Sequence, residues 1–318
     1  MLGAAEAGHG EAAFVLAALY TVGLPEGFEI RAQTAGLDLS ARPVSGERHP
    51  DFHQGRHWAQ VAADAGSADA QALLGYILTN GPEDLRDLPR ARALYEQSAA
   101  AGCSQGHLGL ALAILHSAET EDARKIAASH LKEATKGGLG TAFDILGRMS
   151  EAGAGVPQDI GAAARYYRQA AERNIVGAQA RYGLFLLEGV GVELHYGRAE
   201  TWLRRAALNG DAESAALLGD LYAKGGELPP NLMEAASWYR LAAEQKHGGA
   251  ARALGLLYLT GNGVHRDPDV ATHWFRVASE SGDHHADADF GNLILTGASA
   301  TDDQKQALKE RFERAAEK

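Results

Sequence analysis

The feature that most constrains this 318-residue chain is an internal period of 36 residues held without insertion across six steps. From Gly66, successive steps land on Gly102, Gly138, Asn174, Gly210, Lys246 and Gly282. From Gly75 they reach Ala111, Gly147, Gly183, Gly219, Gly255 and Gly291, and from Leu74 they reach Leu110, Leu146, Tyr182, Leu218, Leu254 and Phe290. A fourth column, Gly81, Ser117, Gly153, Gly189, Gly225, Gly261 and Gly297, keeps the same register. A fixed period of this length specifies a stack of small structural units, each too small to bury its own apolar face. Ala and Gly dominate, with 38 glycines, while Val, Ile and Thr are sparse, so the units are helical and close-packed.

The register extends outward. Gly8, Leu16, Ala17 and Gly23 match Gly66, Leu74, Gly75 and Gly81 at a spacing of 58, so the first repeat carries 22 extra residues, at about 24–50. Phe312, Ala315 and Ala316 match Phe275, Ala278 and Ser279 at a spacing of 37. Eight repeats therefore cover residues 9–318 as a single all-α repeat domain. Residues 1–7 read as the last turn of a further helix, which suggests a segment of a longer protein.

Each column has a physical reading. A first helix, A, spans about 67–80, with Ala70, Leu73, Leu74, Ile77 and Leu78 at helical spacing. Glycine in mid-helix costs about 1 kcal/mol relative to alanine, so the Gly75 column implies a neighbour too close for a Cβ. The Gly81 column is expected to end helix A in left-handed backbone. Asp51, Asp87, Asp159, Asn231, Asp267 and Asp303 then cap a second helix, B, accepting bonds from its free amides. Ala123 and His195 interrupt that column, and their helices are expected to start less firmly. Helix B carries a large residue followed by a small pair, as in Trp202 with Ala206-Ala207, Trp238 with Ala242-Ala243 and Trp274 with Ala278-Ser279. The large residue is expected to fill the space between helices.

The pattern A-x-x-x-L-G-x-x-Y-x-x-G, then G-x-G-V-x-x-D, then W-(Y/F)-x-x-A-A resembles the Sel-one-like repeat family, a branch of the tetratricopeptide superfamily. The likeness is closest in 178–189 and 250–261 and in the loop from Gly261 to Asp267, and it covers essentially the whole chain. The third repeat departs most, with Ala111 and Ser117 in place of its two glycines. The resemblance implies a right-handed superhelical α-solenoid serving as a protein–protein interaction scaffold or adaptor, often in bacterial envelope or host-interaction systems. It also admits a substrate-recruiting domain of a larger enzyme, or an envelope scaffold for polysaccharide export. Repeats set shape, whereas variable positions set the partner.

By the same resemblance helix A lines a concave groove. Its groove positions lie three residues before and one after the mid-helix glycine column. The first set is Ala72, Leu108, Asp144, Ala180, Ala216, Arg252 and Ala288; the second is Tyr76, Leu112, Arg148, Leu184, Asp220, Leu256 and Asn292. Charges at Asp144, Arg148, Glu151, Asp220 and Arg252 alternate with leucines, a mixture suited to a protein or peptide with an apolar anchor and polar flanks. The plainer reading is a solvated face on which Asp144 and Arg148 pair one turn apart. The insertion, with Phe28, Ile30, Leu37 and Leu39, is too apolar to stay in water and is expected to fold back over the first repeats.

The formal charge of −11 disfavours a nucleic-acid partner, which needs a basic face. No apolar run approaches the roughly 18 residues that cross a bilayer, and no charged-then-apolar leader opens the chain. Cys103, the sole cysteine, rules out an internal disulfide and leaves the compartment open. His49, His53 and His57 lack a third ligand and the H-E-x-x-H arrangement. His284, His285, Asp287 and Asp289 spread around a helix, and Gly189-Val190-Gly191 follows no strand. No nucleophile elbow, phosphate loop or carboxylate pair stands out, so neither catalysis, a cofactor nor a metal is expected.

Overall fold

The computed structural model describes residues 2–23, 50–225 and 229–286. Those residues form fifteen α-helices and one 3₁₀ turn, with no strand among them. The first compact unit, residues 1–178, contains α1 (Leu2–Glu6), α2 (Gly10–Val22), α3 (Phe52–Asp64), α4 (Ala68–Asn80), α5 (Leu88–Ala100), α6 (Ser104–His116), α7 (Glu121–Lys136), α8 (Gly140–Ala152) and α9 (Ile160–Ala171). The second, residues 179–318, begins within α10 (Val176–Glu188) and contains α11 (Tyr196–Leu208), α12 (Ala212–Lys224), α13 (Leu232–Glu244), α14 (Gly248–Thr260) and α15 (Pro268–Glu280). Even-numbered helices from α2 are the A helices, and their odd-numbered successors are the B helices. Residues 287–318, which make up nearly all of the eighth repeat, and residues 24–49 of the insertion lie outside the described residues.

Within the first unit each A helix packs on its own B helix, and each B helix packs on the A helix that follows. Helix α4 also touches α2 and α6 directly. The second unit repeats the scheme, α12 touching α14 and α13 touching α15. Each unit is thus a helix-pair stack with A helices beside A helices. The turn from B to the next A uses the Gly66 column: φ is positive at Gly66, Gly102, Gly138, Gly210 and Gly282. Asn174 and Lys246 take the same place with φ of 61° and 65°, the only described non-glycine residues with positive φ.

The A-to-B link is closed by one recurring backbone bond. Asp87 N–H donates to Leu78 C=O, Asp159 to Ser150, Asn231 to Tyr222 and Asp267 to Tyr258, at 2.8–3.0 Å and a separation of nine residues. In the first repeat the same bond joins Asp51 N–H to Tyr20 C=O at 2.8 Å, with 22 additional residues between them. The insertion therefore leaves the helix pair it interrupts intact, and α2 packs on α3.

The mid-helix glycines meet helix B, as expected, but through a different side chain. A Cβ on Gly75 would lie 2.7 Å from the Tyr95 ring, on Gly147 2.8 Å from Tyr167, on Gly219 2.4 Å from Tyr239 and on Gly255 2.8 Å from Phe275. The ring against the glycine is the residue after the tryptophan column, so Tyr239 and Phe275, rather than Trp238 and Trp274, fill the seam. The third repeat solves the same problem in reverse: Ala111 and Leu131 occupy these places and both are fully buried. Full burial of a side chain such as Leu131 is worth about 1.5–3 kcal/mol.

Two further expectations are corrected. Gly153 and Gly261 end their helices in left-handed backbone, but Gly81 has φ −70° and ψ 179°, an extended exit. The helices with interrupted caps do not start weakly. Helix α7 begins earlier, and Thr120 Oγ1 accepts from Ala123 N–H; at α11 the His195 ring accepts from Arg198 N–H. Any side chain with a short-range acceptor satisfies those amides.

Candidate interaction surface

The A-helix face differs from a uniform solvated stripe. Of the earlier groove column, Ala72, Leu108 and Ala216 are buried, because stacking of A helix on A helix covers them. The later column opens outward: Leu112 is 41% exposed, Leu256 37%, and Tyr76 and Leu184 are half-buried.

The charged positions are largely committed to the fold. Arg148 pairs with Asp144 one turn away at 2.9 Å. Burial nevertheless holds the Asp144 carboxyl above its ordinary value, outweighing the Arg148 charge. Glu151 accepts a 2.7 Å bond from the Tyr167 hydroxyl. Asp220 does the same for Tyr239 at 2.7 Å and pairs with Lys224 at 3.2 Å. Burial first, and then the Asp220 carboxylate, push the Tyr239 hydroxyl well above its ordinary value, so it remains a neutral donor. Arg252 is half-buried on α14. Asn292 lies outside the described residues.

In the first unit the face is hollowed. Between α4, the start of α5 and α6 lies an open concavity of about 690 Å³. Tyr76 and Leu112 line it together with Leu88, Tyr95 and Leu108, while Arg92 and His116 are the ionisable nitrogen groups on its wall. Gly109, also on the wall, stands 36 residues from Leu73 and Ile145, which are buried core residues, and has no bulk to match them. A Cβ at Gly109 would lie 2.2 Å from the Tyr95 ring. Tyr95 is thereby gripped between Gly75 and Gly109, and burial pushes its hydroxyl up to about 12. Leu88 is 55% exposed although it starts a helix. The columns read for their regular members pass over Gly109; comparing it with Leu73 and Ile145 is the sequence signal that finds it.

Other groupings emerge only from packing. His107 on α6 and His130 on α7 bring their Nδ1 atoms to 3.0 Å, and burial together with His130 lowers the His107 pKa. In the second unit Arg204 contacts Glu200, Tyr222 and Glu234 and stacks 4.8 Å from the centre of the Trp238 ring, tying three helices together. Of the histidines weighed as ligands, His53 lies 3.5 Å from Asp84, and His57 packs edge-on against Trp58. His49, Asp287 and Asp289 lie outside the described residues. Among the described residues no group of three or more His, Cys, Asp or Glu could hold a metal ion. No helix among them is long and apolar enough to cross a membrane. Cys103 Sγ donates to Asp69 at 3.2 Å, and burial pushes its thiol pKa up.

Comparison with known proteins agrees with this architecture. The Sel1 repeat pattern matches residues 46–67, 68–103, 145–175, 176–211, 212–247 and 249–283, and it passes over the divergent third repeat. The Sel1-repeat-containing protein YjcO of Escherichia coli K12 is 46% identical over 61 residues, which is 19% of this chain and 26% of the relative. The chain thus matches about a quarter of that protein's length. A protective antigen of uropathogenic Escherichia coli with an SLR fold superposes with a TM-score of 0.79 at 22% identity, over 98% of this chain and 63% of the other. A Sel1 repeat protein from Oxalobacter formigenes gives 0.63 at 27% identity, over 91% and 77% of the two chains. With more than half of its residues matched by the repeat pattern and its helix pairs folded accordingly, the chain belongs to the Sel1 repeat family.

Proposed function

We propose that this chain is a non-enzymatic scaffold that binds a protein or peptide along its A-helix face, acting as one repeat domain. Sel1 repeat proteins are generally protein–protein interaction scaffolds, and the solenoid family is generally non-catalytic. The observation that carries the reading for this chain is the open concavity at Tyr76 and Leu112, two of the groove positions, lined mainly by apolar side chains. Fully desolvated apolar anchors dominate binding energy, and surrounding polar contacts supply specificity. The committed charges Asp144, Glu151 and Asp220 shape the face, while Leu112 and Leu256 offer exposed apolar area.

A photo-crosslinking amino acid placed singly at Leu112, Leu256, Leu208 and Met233 tests this. Leu208 and Met233 are 69% and 70% exposed on B helices. The expected result is one shared adduct from the two A-helix positions and none from the B-helix positions. Adducts of equal yield from all four, or from the B helices alone, overturn the assignment. Turnover of a substrate by the purified chain would overturn the non-enzymatic reading.

A further inference from the structure

We propose that the Gly109 hollow is a docking site for a short segment of a protein partner that carries large apolar side chains flanked by carboxylates. The inference rests on the scaffold reading above and specifies what one part of the face receives.

Three observations support the choice of occupant. The space of about 690 Å³ lies in the range of roughly 300–1,000 Å³ typical of ligand pockets. It therefore suits a cluster of side chains better than a single one. The wall supplies the matching apolar surface: Leu88 and Leu112 are exposed, Leu108 lies beneath them, and Tyr76 and Tyr95 present rings. The charge on the wall runs against that of the protein. The chain has 41 acidic and 30 basic residues, yet no Asp or Glu lines the hollow, and Arg92 and His116 do. Tyr95 and Tyr76 are neutral donors, and burial holds both hydroxyls above their ordinary value.

Arg92 pairs with Glu96, one turn along α5, at 3.1 Å, both side chains being 54% exposed. Exposed pairs one helical turn apart are weak, so a partner carboxylate competes for the guanidinium without a large penalty. The hollow also borders the repeat that departs most from the pattern, with Ala111 and Ser117 off-column and Gly109 on its wall. Variable positions on a regular scaffold are where such proteins choose partners.

The test uses the full chain and three fluorescent peptides sharing one Leu-Phe core, flanked by glutamates, glutamines or lysines. The expected order of affinity by fluorescence polarisation is glutamate, glutamine, lysine, with about threefold between steps at low salt and less in high salt. Leu112→Glu should abolish binding of all three, and Arg92→Glu should reverse the order of the glutamate and lysine peptides. Circular dichroism confirms that both variants fold, both positions being exposed. Equal or tighter binding of the lysine peptide overturns the proposal, as does binding that survives Leu112→Glu or no binding by any peptide at millimolar concentration. Preferential uptake of a fatty acid, read by displacement of an apolar dye, would overturn it in favour of a small-molecule site. These results leave the crosslinking outcome untouched, so the two readings fail separately.

Discussion

Replacing Gly219 with alanine is the sharpest probe of how these repeats are held together. Helix propensity alone predicts that Gly219→Ala stabilises α12 by about 1 kcal/mol. The structure predicts the opposite. The new Cβ would lie 2.4 Å from Cδ1 and 2.5 Å from Cε1 of Tyr239, where ordinary contacts begin near 3.4 Å. The ring is 6% exposed, and its hydroxyl is tied at 2.7 Å to Asp220, the residue next to the glycine, so it cannot swing away. Overpacking of this kind costs about 1–3 kcal/mol, which leaves a net loss of up to roughly 2 kcal/mol after the propensity gain. The third repeat indicates what relieves it, since Ala111 and Leu131 coexist fully buried in the equivalent places. In a Tyr239→Leu background, Gly219→Ala should be neutral or stabilising by up to about 1 kcal/mol. The double-mutant cycle then reports a coupling of about 1–3 kcal/mol. Urea unfolding supplies the stabilities, and hydrogen exchange in α12 and α13 locates the change. An alanine that stabilises with Tyr239 present, or that costs the same in both backgrounds, refutes the account of the glycine column.

Further perturbations follow from single residues. Ser214 is 1% exposed and its hydroxyl has no partner, whereas Ala70, Ala142, Ala178 and Ala250 hold the same column. Ser214→Ala should therefore raise stability by about 1–2 kcal/mol in thermal or urea unfolding, and a loss would show that the hydroxyl is satisfied in solution. Lys246 has φ 65° where most repeats place glycine. Lys246→Gly should gain about 0.5–1 kcal/mol, with a smaller gain for Asn174→Gly, because asparagine tolerates left-handed backbone. The His107 pKa is lowered in the fold by burial and by His130. The unfolded chain then takes up its proton first, so this contribution to stability is complete above about pH 6.5 and is lost as pH falls from there toward the folded value. A His107→Asn variant should show a shallower fall in Tm between pH 7 and pH 5 than the parent; identical slopes would remove His107 from the acid response.

Much of the fold was legible because periodic packing writes itself into sequence. A glycine every 36 residues in mid-helix marks a seam, and an Asp or Asn at a fixed offset marks a helix start. The expectations that failed are local substitutions with equivalent physics. Thr120 and His195 cap helices where the column has Ala123 and His195 instead of Asp or Asn, and Gly81 leaves its helix in extended backbone. The groove face was legible only as a set of positions. Whether a position is open depends on how closely consecutive A helices approach: Leu108 and Leu112 are one turn apart on α6, yet one is 2% and the other 41% exposed.

The sequence by itself determined that this protein is an all-α stack of helix pairs, where most of its helices start and turn, and that 22 residues interrupt the first pair. These properties are local or repeat with the period, so capping chemistry, backbone preference and spacing suffice to specify them. Only the tertiary structure decided which charges are committed to the fold, which ring fills each seam, and where the A-helix face opens. Those outcomes depend on side chains from three helices meeting at one place. Gly109 gains its meaning only when Tyr95 from α5 packs against it on the wall of the concavity.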